Sequence, residues 1–397
     1  MFGTAIAPIA LSFAILDQRG GTVTELGLVL ASRSLAQVAF LLAGGVFADR
    51  FRRNRLMSLA NLTAFASQGA VTAMFLSHVT PLLALMAFSA VNGAAGALFI
   101  PASRGIVPEL VPDERRQAAN SLMRLSQSTS TILGAAVAGL IVAGLGAGWG
   151  IGVDALSFLL SGILLSGASS PAMTRPSARG RPNFFTELRE GWAEFRSRSW
   201  VWTTVSQFAV VNLCFRPCVF VLGVVVAKQY LGGPKAWSLV VAANAVGLVA
   251  GGAVAMKLKL RFPLRMAVLA TFGFLPPFFL LAFGAPLWLL VAAMFVNGMC
   301  VDIFEVLWQT TLQTHIPADL LSRVASYDDM GSFFLGPLGL ILIGPVAAAI
   351  GVTQTIAAGG SVLLLATVCS FMSPAVRNVS ATVRPPSANE VAVERAK

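Results

Sequence analysis

Apolar stretches close to the length of a membrane-crossing helix follow one another along nearly the whole chain, and that spacing limits the fold more than any other feature. A helix rises about 1.5 Å per residue, so about 20 apolar residues cover a hydrocarbon layer roughly 30 Å thick. On that measure, spans are expected near 2–16, 24–48, 55–77, 80–103, 118–146, 149–169, 200–227, 236–256, 264–283, 286–312, 324–350 and 352–372. Helices are preferred to barrel strands, which would be about half as long and would alternate apolar with polar residues. Composition agrees: 56% of the 397 residues are hydrophobic and 11% are charged, against about a quarter charged in a water-soluble domain. The mean hydropathy is +0.78. A soluble core cannot hide so much apolar surface, whereas lipid solvates it directly. The expectation is an all-α integral membrane protein with about twelve transmembrane helices.

The formal charge of +11 does not point to nucleic acid, because the cations cluster in short segments between apolar runs. Arg50, Arg52, Arg53 and Arg55 follow span two, and Arg115 and Arg116 follow span four. Arg175, Arg179, Arg181, Arg189, Arg196 and Arg198 follow span six, and Lys257, Lys259, Arg261 and Arg265 follow span eight. Arg323 precedes span eleven, and the alternate connections hold little beyond Arg19, Lys228 and Lys235. By the positive-inside rule, even-numbered spans end in the cytoplasm, and both termini of this multi-pass cell-membrane (inner or plasma membrane) protein lie there. Cys214, Cys218, Cys300 and Cys369 all sit in apolar stretches. Cys214 and Cys218 are a helical turn apart, but no His or second Cys pair completes a metal site, so they read as small buried hydrophobes. No cofactor and no metal is expected. No cleavable signal peptide is visible, so the first span is expected to stay in the membrane.

Segment 171–183 is rich in Pro, Ser, Gly and Arg and reads as a linker between two six-helix halves. Phe184, Leu188, Trp192 and Phe195 then recur at helical spacing among charged residues, which predicts an amphipathic helix on the cytoplasmic membrane surface. The expected organisation is a first bundle at 1–170, a linker with this interfacial helix at 171–199, a second bundle at 200–373 and a disordered cytoplasmic tail at 374–397. An internal repeat ties the bundles together. Val91-Asn92-Gly93 recurs as Val296-Asn297-Gly298, an offset of 205. The same offset pairs Phe99 with Phe304, Pro112 with Pro317, Ser121 with Ser326, Gly134 with Gly339 and Gly139 with Gly344. An offset of 211 aligns Arg50-Phe51 with Arg261-Phe262. Two parallel repeats place a cavity at their interface, where rocking exposes it to either side in turn.

Gly45-Val46-Phe47-Ala48-Asp49-Arg50-Phe51-Arg52-Arg53, between spans two and three, resembles the signature G-x-L-A-D-R-x-G-R-R of the major facilitator superfamily. Phe47 and Arg52 depart from it, and Asn54 ends the basic run. The resemblance implies the major facilitator fold, with two six-helix bundles related by a pseudo-two-fold axis, and a cytoplasmic latch formed by Gly45, Asp49, Arg50 and Arg53. A second stretch runs Pro101-Ala102-Ser103-Arg104, Val107-Pro108-Glu109-Leu110-Val111-Pro112 and Arg116-Gln117-Ala118-Ala119-Asn120-Ser121. It is similar to the connection between spans four and five in the enterobactin-exporter and macrolide-efflux branch, a group of drug:proton antiporters. Its prolines are expected to end one helix and shape the loop. Gly134 and Gly139 in span five, with Gly336, Pro337 and Gly339 in span eleven, match an exporter motif loosely; small residues there let helices of opposite halves touch. Similar transporters carry further residues before the match to Met1-Phe2-Gly3, so the first span, about fifteen residues long, is expected to be tilted, capped or truncated. A family acid that helps coupling would then be missing with them.

Ionisable residues within membrane spans count as functional candidates. Arg33 lies in span two, Arg124 in span five, Asp154 in span six, Arg216 in span seven, and Asp302 and Glu305 in span ten. The last pair stand three apart and so share a helix face. A carboxylate withdrawn from water can carry a proton across the cycle, and an arginine in the cavity can bind an anionic substrate; a fixed ion pair across the bundle is the structural alternative for each. Gln37, Asn212 and Gln309 are further candidates for the cavity, and Phe208, Phe215 and Trp308 for its aromatic wall. The function expected is proton-coupled efflux of a hydrophobic or amphipathic small molecule, such as a drug, siderophore or secondary metabolite. Its expected partners are lipid, the substrate and protons, without nucleic acid, and it is expected to work as a monomer. An importer on the same scaffold remains open, as does the membrane subunit of an ATP-driven pump whose ATPase is separate, since the chain holds no G-x-x-x-x-G-K-[ST] segment. An enzyme is not expected, because His78 and His315 lie near loops and form no catalytic constellation.

Overall fold

The computed structural model describes residues 2–18, 20–50, 52–110, 113–167, 184–258 and 260–381. The linker expected at 171–183 and the tail beyond 381 lie outside the described residues. Eleven described helices are long and apolar enough to cross a bilayer, and Phe2–Leu16 is a shorter apolar helix ahead of them. Lipid offers no partner to an open backbone group, so a chain this apolar must satisfy its own amides, and helices do so within each segment. The first six spans are Phe2–Leu16, Val23–Arg50, Arg53–Leu76, Leu82–Leu110, Asp113–Leu145 and Ala147–Gly167. After the helix Phe184–Ser197 come spans seven to ten: Ser199–Leu231, Pro234–Ala255, Pro263–Ala282 and Leu287–His315. Span eleven is Ala318–Phe333 followed by Gly336–Ile350, and span twelve is Val352–Met372.

The departures from the expected spans fall mostly at prolines. Span four runs unbroken through Pro101 and Pro108 to Leu110, so these prolines do not end it. Neighbouring helices re-satisfy a freed carbonyl in a membrane span more readily than water does in a surface helix. Span eleven is interrupted at Phe334-Leu335 and restarts with Pro337 in its first turn, where the missing amide hydrogen is not needed. Span nine changes to a tighter 3-10 turn over Thr271–Phe274 just before Pro276-Pro277. Span seven widens to π-helix over Arg216–Leu222, with Pro217 at the start. Residues 374–381, expected in the tail, begin with the short helix Pro374–Arg377; Val376 and Val379 are buried, and the Ala381 amide donates to the Arg261 carbonyl at 2.9 Å. The two valines stand a helical turn apart and cover apolar residues at the base of the second half.

The sequence repeat is also a packing repeat. Span two lies along span four as span eight lies along span ten, and span three lies on span six as span nine lies on span twelve. Between the halves, span five packs on span eight and span eleven on span two, so each contact maps onto another when six spans are added. Paired glycines make these contacts possible. A side chain on Gly93 would overlap the Arg33 carbonyl in span two, and one on Gly298 would overlap the Asn244 carbonyl in span eight. Gly134 and Gly339 touch spans one and seven of their own halves, at the Phe2 and Leu213 carbonyls. Gly139 meets Pro234 and Ser238 of span eight, and Gly344 meets Thr24 of span two. Of the glycines expected to join opposite halves, Gly139 therefore does so, as does its repeat counterpart Gly344, whereas Gly134, Gly336 and Gly339 pack inside a half. Pro337 is buried beside them.

Removing the gap at such a contact should separate two helices. Gly298→Ala is expected to lower unfolding stability by about 1–3 kcal/mol, the usual range for overpacking. Gly69→Ala, where an added methyl meets open space, should be neutral or stabilising. Thermal unfolding of the purified variants checks this; equal midpoints for the two would contradict the close-packing account.

Candidate functional site

Of the expected intramembrane charges, Asp154 lies inside the first half, where span six packs on spans one, three and five. Asp154 of span six is 1% exposed. Gln68 of span three donates from Nε2 to its Oδ2 at 2.8 Å. Span one reaches this carboxylate because residue 3 is glycine: a methyl there would lie 2.6 Å from the Asp154 Cα. Arg33 of span two is half-buried, attracted by Asp154 and repelled by Arg216 of the other half. Its backbone is held by span four at Gly93. Among the described residues Arg33 makes no ion pair within 4 Å, so the fixed pair with an acid becomes a longer-range attraction.

A cavity of about 490 Å³ opens inside the first half. Arg33, Gln37, Asn61, Asn92, Gln127 and Ser161 line it, with Phe99 and Phe158 as apolar wall. Asn92 is buried, and its Nδ2 has no hydrogen-bond partner among the described residues. The Nδ2 of its repeat counterpart Asn297 is likewise without a partner there, while Asn297 Oδ1 accepts from Asn244 Nδ2 at 2.9 Å. An offset of 211 places Arg33 against Asn244, so the first half carries a cation where the second carries an amide.

Arg216 begins the π-helical stretch of span seven and is exposed although flanked by buried residues on both sides. Pro217 beside it packs against Gly339 of span eleven, and Cys218 points to span twelve, with Sγ on the Gly359 backbone and the Thr355 carbonyl. With those two directions occupied by its own half, Arg216 faces the first half, where span two meets this stretch.

The remaining expected residues are placed differently. Asp302 lies against Gly252 of span eight. Glu305 is exposed, accepts from Gln309 Nε2 at 3.0 Å and acts electrostatically on Asp328 of span eleven. The two acids, expected on one face, thus address different neighbours, because three residues are 60° short of a full turn. Asn212 turns to span eleven, donating to the Ser332 carbonyl at 3.1 Å. Phe208 stacks on Phe304 with ring centroids 4.2 Å apart, and Trp308 donates to Asp328 Oδ2 at 2.8 Å. With buried Phe215, these aromatic side chains fill the second half rather than wall the cavity. Gly45, Asp49 and Arg50 belong to the last turns of the span-two helix and Arg53 opens span three. The side chains of Gly45, Asp49, Arg50 and Arg124 lie outside the described residues. Phe195 and Trp192 of the amphipathic helix pack on Tyr327 of span eleven at 5.9 and 5.4 Å between ring centroids.

One contact between the halves had no signal in the sequence. At the end opposite the arginine-rich connections, Lys228 Nζ in span seven lies 2.7 Å from Asp17 Oδ1 and also donates to the Leu16 carbonyl at the end of span one. The inter-half glycine contacts of Gly139 and Gly344 lie toward this same end. A turn residue and a helix-end residue with no shared motif give periodicity nothing to detect, and Gln68, an amide in an apolar helix, is equally silent.

Residues 1–340 match the family described as Major Facilitator Superfamily. Macrolide efflux protein A of Streptococcus pyogenes is 23% identical over 375 residues, covering 93% of this chain and 92% of that protein. Multidrug efflux pump Tap of Mycobacterium tuberculosis is 23% identical, covering 95% of this chain and 91% of the pump. The MFS-type transporter YvqJ of Bacillus subtilis is 25% identical over 362 residues, covering 90% and 85% of the two chains. Among solved structures, the nucleoside transporter NupG superposes with a TM-score of 0.67 at 13% identity, covering 93% of this chain and 98% of its own. A bacterial homolog of the lysosomal transporter Spinster, inward-facing and unoccupied, gives 0.68 at 14% identity and covers 95% of both chains. These structural likenesses carry the fold alone.

Gln68→Leu leaves the buried Asp154 carboxyl without its amide donor and should lower stability by about 1–3 kcal/mol. Asp154→Asn keeps an acceptor for Gln68 and should cost less. Unfolding midpoints in detergent test the pair, and an equal loss in both variants would contradict the assigned hydrogen bond.

Proposed function

We propose, because the chain belongs to the Major Facilitator Superfamily, that it is a secondary active transporter exporting a hydrophobic or amphipathic small molecule in exchange for protons. The observation that carries this is the cavity of about 490 Å³ in the first half, lined by the intramembrane Arg33 together with Gln37 and Asn92. Charge in the membrane interior is retained where it faces a solute or ion path. Export rather than import is supported by relatives named for efflux of macrolides or multiple drugs over nine-tenths of their length.

The arginine-rich connections put the basic end in the cytoplasm under the positive-inside rule. On that orientation, the described contacts of Lys228, Gly139 and Gly344 belong to a state closed toward the outside. The turns holding Gly45, Asp49, Arg50 and Arg53 would then latch the cytoplasmic end in the alternate state. Asp154 is the favoured proton carrier, since it is a buried carboxyl within a membrane span, with Asp302 and Glu305 as the acids of the second half. The protein works as a monomer in the cell membrane with both termini in the cytoplasm. The Lys228–Asp17 pair is exposed, and such pairs contribute about 0–1 kcal/mol. That is weak enough for a gate that opens in every cycle.

In everted vesicles offered a macrolide panel from the outside, a protonophore should stop uptake while ATP is held constant; uptake that persists and needs ATP would remove the secondary-transport assignment. Asp154→Asn should abolish gradient-driven uptake into these vesicles, and an unchanged pH profile would exclude Asp154 as the carrier. Asp17→Asn should raise labelling of cysteines introduced near Thr24 by up to about fivefold, the population equivalent of 1 kcal/mol. Unchanged labelling would show that the pair does not hold this end shut.

A further inference from the structure

We propose that the second half binds anionic phospholipid at its basic end, where Arg261, Arg265 and Arg377 meet the headgroup phosphate. Two segments distant in sequence build this surface: the connection before span nine, and residues 374–381 after span twelve. Val376 and Val379 are buried in one apolar cluster with Leu264 and Val268 of span nine, and the Ala381 amide donates to the Arg261 carbonyl at 2.9 Å. The helix Pro374–Arg377 thereby rests against the helix Pro263–Ala270, which carries Arg265. The Arg265 guanidinium lies 6.0 Å from the ring centre of Phe371, in the last turn of span twelve, so a third element joins the same patch. All three arginines are exposed.

The patch has no internal counter-charge. Among the described residues no carboxylate lies within 4 Å of any of the three arginines. The chain holds no Asp or Glu over 256–301 or over 351–389. The repeat sharpens the imbalance: the offset of 211 that aligns Arg261-Phe262 with Arg50-Phe51 sets Leu260 where the first half has Asp49. The second connection therefore keeps its cations and lacks the acid. Its level in the membrane selects a lipid over a soluble anion. Arg261 lies over the Phe262 ring at 5.4 Å, just before span nine begins at Pro263, and Phe371 is one residue from the end of span twelve. These rings mark where the spans leave the hydrocarbon, which is the level of the headgroups. A guanidinium stacked on a ring still presents its N–H edge to phosphate oxygens. Clustered cations beside span ends attract anionic lipid, each adding about fivefold in affinity. A bound headgroup would tie residues 374–381 to the start of span nine by charge, beside the apolar contact of the two valines.

Native mass spectrometry of the purified full chain tests this, with dioleoyl phosphatidylglycerol against dioleoyl phosphatidylcholine, which share acyl chains and differ in net charge. Phosphatidylglycerol should bind about tenfold or more tightly. Arg261→Gln, Arg265→Gln and Arg377→Gln should each weaken its binding about fivefold, and the three combined should bind the two lipids alike. Arg261→Lys, Arg265→Lys and Arg377→Lys combined keep the charge and should retain most of the preference. Lys235→Gln, at the opposite end of span eight, should leave it intact. Equal binding of both lipids by the native chain, a preference that survives the triple glutamine variant, or a loss reproduced by Lys235→Gln would overturn the proposal. A parallel fall in phosphatidylcholine binding would also overturn it, since the arginines would then act on folding and not on the headgroup. Displacement of phosphatidylglycerol by millimolar inorganic phosphate would assign the surface to a soluble anion instead, against the proposal.

Discussion

Backbone-to-backbone contact at glycine is the interaction on which the rest of the molecule depends. In lipid, apolar side chains gain nothing by leaving one apolar medium for another, so helix association rests on van der Waals fit and polar contacts. Gly93 and Gly298 let spans four and ten settle on the backbones of spans two and eight. Gly139 and Gly344 do the same between the halves. Because each pair is related by the same offset of 205, one packing solution is used twice. The second use carries the first half's contacts into the second half and turns the inter-half contact of spans five and eight into that of spans eleven and two.

Polar chemistry is then concentrated where this packing leaves room. Gln68 and Asp154 are brought together across spans three and six, and Gly3 lets span one close over them. Arg33 is fixed by its own backbone contact with span four, while its half-buried side chain lines the cavity of the first half. Arg216 owes its direction to Pro217 and the widened helix that follows, since Pro217 and Cys218 occupy the sides that face spans eleven and twelve. A π-helical stretch shifts the register of every later residue, which re-aims side chains without breaking the span.

The spans were legible because hydropathy over about 20 residues is a strong local signal. Their boundaries mostly fell within a few residues, and the repeat announced the symmetry before any packing was seen. What sequence missed are events that depend on register and neighbours. Asp302 and Glu305 look alike on a helical wheel, yet one meets Gly252 and the other accepts from Gln309. Gly134 and Gly139 belong to one motif but serve different partners, span one and span eight. Pro101 and Pro108 looked like terminators by the rules of water-exposed helices, and the span runs through them. Trp308, expected in the cavity wall, instead satisfies Asp328 inside the second half.

The central claim is that two halves rock about this junction, one end opening as the other closes. Spin labels at Val79 and Lys235 report on the end tied by Lys228 and Asp17, and labels at Arg55 and Lys257 report on the basic end. Pulsed dipolar distances should be recorded for both pairs, in a background without the native cysteines, across a pH titration in lipid nanodiscs. The account predicts opposed changes, with one pair lengthening over the same pH interval in which the other shortens. Distances that stay fixed, or that change in the same direction at both ends, would contradict it.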